Sequence, residues 1–171
     1  YYTDEAIKVI EKNKNRPFFL YLSHFAPHNP LQALRDDYDH FHHIEGEFSE
    51  ELKVYSGMLK ALDRSVGRIL DTLEKNNLTD NTLIVLTSDN GGANYIHLSD
   101  INKPYRGWKL THFEGGLHVP FMAKWPNKIK PGIEFNAPIH ANDILPTFAA
   151  AAGAELPDDR IIDGVNLLPF L

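Results

Sequence analysis

The chain has 171 residues, a formal net charge of −6, 43% hydrophobic and 23% charged side chains, and no cysteine. A chain of that length buries a real core, and the composition is ordinary for a globular protein. The acidic balance argues against a nucleic-acid scaffold, the longest apolar runs fall far short of the ~20 residues that span a bilayer, and the missing thiols exclude disulfides, thiolate zinc sites and a cysteine nucleophile.

The chain opens on Tyr1-Tyr2-Thr3-Asp4, with neither an initiator Met nor a signal peptide, and reads as a piece excised from something longer. Thr3 is placed to cap a first short amphipathic helix running toward Asn15, with Asp4 and Glu5 favourable at its amino end. The run PFFLYL (17–22) predicts a strand, and it ends in the Pro-rich loop SHFAPHNP (23–30) with its two histidines. Residues 23–48 read as irregular. Within them His40, His42 and His43 read as a solvated cluster, because the adjacent pair cannot easily share one face.

Residues 49–76 give the clearest helix. Leu52, Tyr55, Leu59, Leu62, Val66, Ile69, Leu70 and Leu73 recur at three- and four-residue intervals, Glu50 and Glu51 suit the amino end, and Asn76-Asn77 ends it. Next comes LIVLTSDNGG (83–92), a buried strand running out into a loop of oxygen-bearing side chains. Residues 94–105 read as loop or short helix. The glycine- and charge-rich segment KPYRGWKLTHFEGG (103–116) leads into a third strand at 119–125. Residues 141–152 predict a helix with an early-turn Pro146, stopped by Gly153, and Asp163-Gly164 marks a turn before the last apolar stretch.

Strand, long helix, strand is a crossover unit, which favours parallel strands. The expected fold is therefore α/β: a mostly parallel sheet of three or more strands flanked by helices, in a single domain over residues 1–171. Ligands of such sheets bind just beyond the carboxyl ends of the strands, which places Asp89, Asn90 and the loop histidines where a site belongs. By residue type alone, Asp89-Asn90-Gly91-Gly92 is more often a turn with side-chain-to-backbone hydrogen bonds, His28 a surface loop residue, Lys109 a solvated cation and Arg106 an ion-pair partner.

Six segments in a fixed order change that balance. SHFAPHNP (23–30), YSGMLKALDRSVGRIL (55–70), NTLIVLTSDNGG (81–92), YRGWKLTHFEGGLHVPFMAKWP (105–126), ANDILPTFAAAAG (141–153) and DGVNLLPFL (163–171) together resemble the sulfatases, within the alkaline-phosphatase-like superfamily. The resemblance covers nearly the whole chain but only the later part of a sulfatase catalytic domain. It implies that Asp89 and Asn90 are calcium ligands, that His28 touches the sulfate or protonates the leaving oxygen, and that Lys109 binds sulfate oxygens. Glu114-Gly115-Gly116 is then a structural turn, and Asp143, Pro146 and Thr147 a packing motif. Trp108, His112 and His118 depart from the residues usual at those places. The resemblance also implies a Cys-or-Ser-x-Pro-x-Arg segment that yields the formylglycine nucleophile, and a first aspartate pair; this chain has no Cys and no Ser-x-Pro.

The chemistry suits these residue types. A departing sulfate ester develops negative charge on the sulfuryl oxygens and on the leaving oxygen, so fixed positive charge is needed around them. Calcium takes ~6–8 oxygen ligands, of which Asp89 and Asn90 supply two. Lys109 is a compact point charge, and a histidine with an ordinary pKa of ~6.5 suits general acid work; His24 is the weaker candidate for it on the same loop. The implied function is calcium-assisted hydrolysis of a sulfate ester, borne by a small molecule or a glycan, in a periplasmic, secreted or lysosome-like protein. This chain alone is expected to be inactive. A phosphate or phosphonate monoester hydrolase of the same superfamily and a noncatalytic module binding sulfated glycans are the alternatives.

Overall fold

The computed structural model describes residues 1–98 and 100–171. Their contacts group into two units, one of residues 1–79 and 86–121 and one of residues 80–85 and 122–171.

The first unit is organised by three helices: α1 (Tyr2–Asn13), α2 (Arg35–Asp39) and α3 (Ser49–Lys75). The long helix stands where the three- and four-residue apolar spacing places it, and Asn76 is its C-cap. The stripe that α3 buries deepest shares only Leu73 with that set, however. Gly57, Met58, Ser65, Thr72 and Leu73 are buried, while Leu59 stays exposed. Spacings of seven put Met58, Ser65 and Thr72 on one face. Small and hydroxyl side chains there let neighbouring segments come close: a Cβ on Gly57 would lie 2.9 Å from Ala33 Cβ. The Thr72 hydroxyl is satisfied locally, donating to Arg68 O at 2.8 Å.

Helix α1 packs on α3 through buried Ala6 and Ile10. It begins two residues earlier than the Thr3 cap expects, with Tyr1 at the N-cap position. Thr3 lies inside the first turn, and its hydroxyl hydrogen-bonds Ser65 Oγ at 2.7 Å instead of capping.

Helix α2 falls in a segment expected to be irregular. Five residues are too few to show a period, and so short a helix depends on tertiary support. Buried Asp37 supplies it, accepting two hydrogen bonds from the Arg64 guanidinium at 2.6 and 2.7 Å. Arg64 also holds the Asp37 carboxyl below its ordinary range. Arg35 Nε pairs with Asp39 one turn on at 2.9 Å.

The expected strand at 17–22 does not form. Burial there alternates as in a strand, with Phe19 73% and Tyr21 81% exposed and their neighbours half-buried. No strand among the described residues pairs with it, and a strand is defined by its ladder. For the same reason the mostly parallel sheet of three or more strands is not present here. The described residues form one two-stranded sheet, β1 (Ile84–Thr87) with β2 (Phe121–Lys124). Between them lies the single helical turn α4 (Glu114–Leu117).

The second unit holds α5 (Ile144–Ala152), preceded by a 3-10 turn at Ala141–Asp143 and ended by Gly153 at φ 66°. Asp143 ties it together. Its carboxylate accepts from His140 N–H at 2.7 Å and Val165 N–H at 2.8 Å, and these bonds hold its pKa down. Thr147 Oγ1 donates to Asp143 O at 2.6 Å and accepts from Leu167 N–H at 2.9 Å. Asp143, Pro146 and Thr147 are all buried, as a packing role requires.

Candidate functional site

The strand β1 delivers its carboxyl end into Ser88-Asp89-Asn90-Gly91-Gly92, and this loop is fastened backbone to backbone onto the segment 102–116. Gly91 N–H donates to Gly116 O at 3.0 Å, and Lys109 N–H donates to Gly92 O at 3.1 Å. Gly115 N–H donates to Arg106 O at 2.7 Å. Such close approach leaves no room for side chains: a Cβ on Gly91 would stand 1.8 Å from Gly115 O, and one on Gly115 2.3 Å from Gly107 O. The glycine pairs of the two loops are thus one device, two backbones pressed together.

Asn102 clamps the same junction. Its Oδ1 accepts from Gly92 N–H at 2.7 Å, and its Nδ2 donates to Gly92 O and Gly107 O, both at 3.0 Å. A side-chain amide offers two donor hydrogens and an acceptor oxygen on separate atoms, which is what bonding both groups of Gly92 and Gly107 O together requires. Nothing in a single sequence marks Asn102 for this task. Arg106 differs from the expected ion-pair partner: its guanidinium lies 4.1 Å from the centre of the Phe113 ring, a cation–π contact. His118 stacks on Tyr105 with centroids 4.2 Å apart, and its Nδ1 lies 2.9 Å from Glu114 Oε2.

Asp89 is exposed, and no hydrogen bond or ion pair reaches its carboxylate among the described residues. Asn90 is half-buried and spends its amide nitrogen on Gly91 O at 2.9 Å, and its Oδ1 has no hydrogen-bond partner among the described residues. Ser88 Oγ donates to Asn90 O at 2.9 Å. The side-chain-to-backbone bonds of a turn are therefore present, yet they leave the two oxygens open. Hard oxygen donors of this kind fit calcium, as part of a ligand set. No group of three or more His, Cys, Asp or Glu among the described residues could hold a metal by itself. His40, His42 and His43 are exposed.

Lys109 is half-buried and follows exposed Trp108. The bond to Gly92 O brings its backbone to within three residues of Asp89. His28 is exposed on its own loop, with Nδ1 2.8 Å from Asn29 O and the Phe25 ring edge-on at 5.5 Å. A carbonyl only accepts, so Nδ1 carries the proton and Nε2 is the nitrogen left for chemistry. Among the described residues no hydrogen bond or ion pair joins His28 to the 88–92 or 102–116 loops. The structure thus brings Asp89, Asn90 and Lys109 together through their backbones and leaves His28 on a separate support.

Comparison with known proteins follows the same line. The family described as Sulfatase matches residues 1–154. The chain is 38% identical to the steryl-sulfatase of Rattus norvegicus over 173 residues, covering 98% of this chain and 28% of that protein. Among solved structures it is similar to Ps i-CgsB in complex with k-i-k-neocarrahexaose, with TM-score 0.90 and 42% identity over 98% of this chain and 37% of that one. It is also similar to the PsFucS1 sulfatase from Pseudoalteromonas sp., with TM-score 0.81 and 27% identity over 99% of this chain and 33% of that one. The chain therefore spans well under half the length of each of these proteins. No helix among the described residues is long and apolar enough to cross a membrane. On the family match, the identities and the structural likeness together, the chain belongs to the sulfatase family.

Proposed function

We propose that this chain is the later part of a sulfuric ester hydrolase, in which Asp89 and Asn90 hold calcium, Lys109 binds the sulfate oxygens and His28 protonates the leaving oxygen. The observation that carries the reading is the junction at Gly92: Asn102 and the Lys109 backbone amide clamp a loop with two open oxygen donors against a loop bearing a cation. Asp89 and Asn90 would hold calcium, whose fixed positive charge would attract the sulfuryl oxygens more strongly as they become more negative. Lys109 adds a second charge from the opposite loop. As the S–O bond breaks, its electron pair stays on the alcohol oxygen; His28, doubly protonated with Nδ1–H held by Asn29 O, gives its Nε2 proton to that oxygen and is left as the neutral Nδ1–H tautomer. The Nδ1 bond to Asn29 O keeps the imidazole in the orientation that exposes Nε2.

No residue of this chain fits the formylglycine position, since there is no cysteine and no Ser-x-Pro sequence. In this reading the attacking group lies elsewhere in the full-length polypeptide, the two-stranded sheet is part of a larger, mostly parallel one, and the isolated chain is inactive. The 42% identity to a protein solved with k-i-k-neocarrahexaose and the 38% identity to a steryl-sulfatase support an ester carried by a glycan or a small molecule.

The test is hydrolysis of nitrocatechol sulfate by the full-length polypeptide, beside a matched phosphonate monoester. Turnover of the sulfate that depends on calcium and falls about 10²–10³-fold in Lys109→Ala is expected, the loss typical of removing one charge-stabilising donor. Faster turnover of the phosphonate overturns the sulfatase reading. Turnover by the isolated chain, abolished by Lys109→Ala, overturns its inactivity.

A further inference from the structure

The loop that carries His28 is tied to α3 at two points, each four residues away. Upstream, His24 Nε2 lies 3.1 Å from Ser65 Oγ, which makes a second hydrogen bond of 2.7 Å with Thr3 Oγ1 on α1. Downstream, Gln32 N–H donates to Met58 Sδ at 3.4 Å. Met58 and Ser65 are both buried on α3. They are seven residues apart, two turns and about 10 Å along the helix axis, so both anchors sit on one face.

Between the anchors the loop has little backbone bonding of its own. Pro27 and Pro30 have no N–H to give. A turn is closed by His28 N–H donating to Phe25 O at 3.0 Å, which hands the position of residue 25 directly to residue 28. Sulfur is a weak acceptor, so of the two anchors the His24–Ser65 bond is the stronger. It is also sheltered: Ser65 is 5% exposed, and burial pushes the His24 imidazole below its ordinary range. A neutral imidazole, one serine hydroxyl and one threonine hydroxyl satisfy each other in either direction of donation, so the chain of bonds closes without a charge.

We infer that His24 and Ser65 are positioning residues, which through the His24–Ser65–Thr3 chain set where the His28 imidazole stands relative to α3. The inference rests on the reading of His28 as the proton donor. It predicts that losing the anchor displaces His28 without touching the groups that bind the sulfate. A misplacement of about 1 Å at a reacting group can cost on the order of 10²-fold in rate.

The experiment uses the full-length enzyme carrying His24→Leu, His24→Gln, Ser65→Ala, His28→Ala and the pair His24→Leu with His28→Ala. His24→Leu is expected to lower kcat about 10–100-fold with KM within about threefold. His24→Gln, whose amide reaches the same hydroxyl, restores most of the rate. The double variant falls no further than His28→Ala alone, because residues acting as one unit are not additive. Multiplying losses, an unchanged kcat in His24→Leu, or a kcat that merely follows the folded fraction by circular dichroism overturns the inference. Should His24→Leu fail to fold, Ser65→Ala takes its place in the cycle with the same outcomes. An active wild type in which His28→Ala changes nothing overturns the role of His28 and the inference with it. An active wild type in which His28→Ala is crippled but the anchor variants are not overturns the inference alone.

Discussion

At the junction of the 88–92 and 102–116 loops, backbone meets backbone; along the 23–32 loop, side chains reach out to a helix. The first arrangement leaves no tolerance. Gly91, Gly115 and Gly116 pack so closely that any added atom collides with a carbonyl, and the register of Lys109 against Gly92 follows from hydrogen bonds every residue can make. The second depends on which side chains are present, His24 and Ser65 above all. The comparison teaches that main-chain bonds plus a single side-chain clamp, Asn102, can fix two loops against each other, the loops to which the proposal assigns the carboxylate and the ammonium. A group that must meet a leaving atom can be hung from adjustable tethers.

The largest expected effect breaks the first region. Gly91→Ala forces a Cβ to 1.8 Å from Gly115 O, worse than the ordinary overpacking that costs about 1–3 kcal/mol. Chemical denaturation should show a loss at or above the top of that range, with activity of the full-length protein gone. A near-native midpoint would mean that the two loops can part without harm.

Next comes Asn102→Ala, which deletes three hydrogen bonds and strands the Gly92 N–H. About 1–3 kcal/mol is expected for a buried group left unpaired. Amide hydrogen exchange should show Gly92 losing protection before α3 does. Unchanged protection at Gly92 would remove Asn102 from the clamp.

The smallest effect sharpens the second region and is read from pH. Burial lowers the His24 pKa in the folded state, so the unfolded chain takes up this proton first as pH falls below about 6.5. Stability is therefore full above that value and declines as pH drops toward 5. His24→Gln should flatten this decline in a melting series between pH 7 and 5. Asp37 also has a lowered pKa, but it titrates below about pH 4 and leaves the window clear. An identical slope in the variant would show that His24 does not sense the interior.

Much of this was readable from residues. The long amphipathic period of 49–76 announced α3 because 27 residues give a helix many chances to repeat its pattern. The polar stop after a short apolar run announced the loop of Asp89 and Asn90, and six ordered segments announced the family. The helix at Arg35–Asp39 was invisible, since one turn has no period and its support comes from Arg64, 27 residues away. The segment 17–22 read as a strand from its short apolar run and yet pairs with no strand among the described residues, because pairing belongs to two segments and a pattern to one.

The residue order alone established which elements repeat, where a polar loop must follow a short apolar strand, and which family the motifs belong to, since all three depend on neighbours along the chain; that strand is half-buried at Ile84 and Val85 and exposed at Leu86 and Thr87. Only the folded chain showed that the buried face of α3 runs through Met58, Ser65 and Thr72, that Asn102 closes the junction, and that His24 reaches a hydroxyl 41 residues away. Those are contacts between distant segments, and their energies come from proximity that no local pattern encodes.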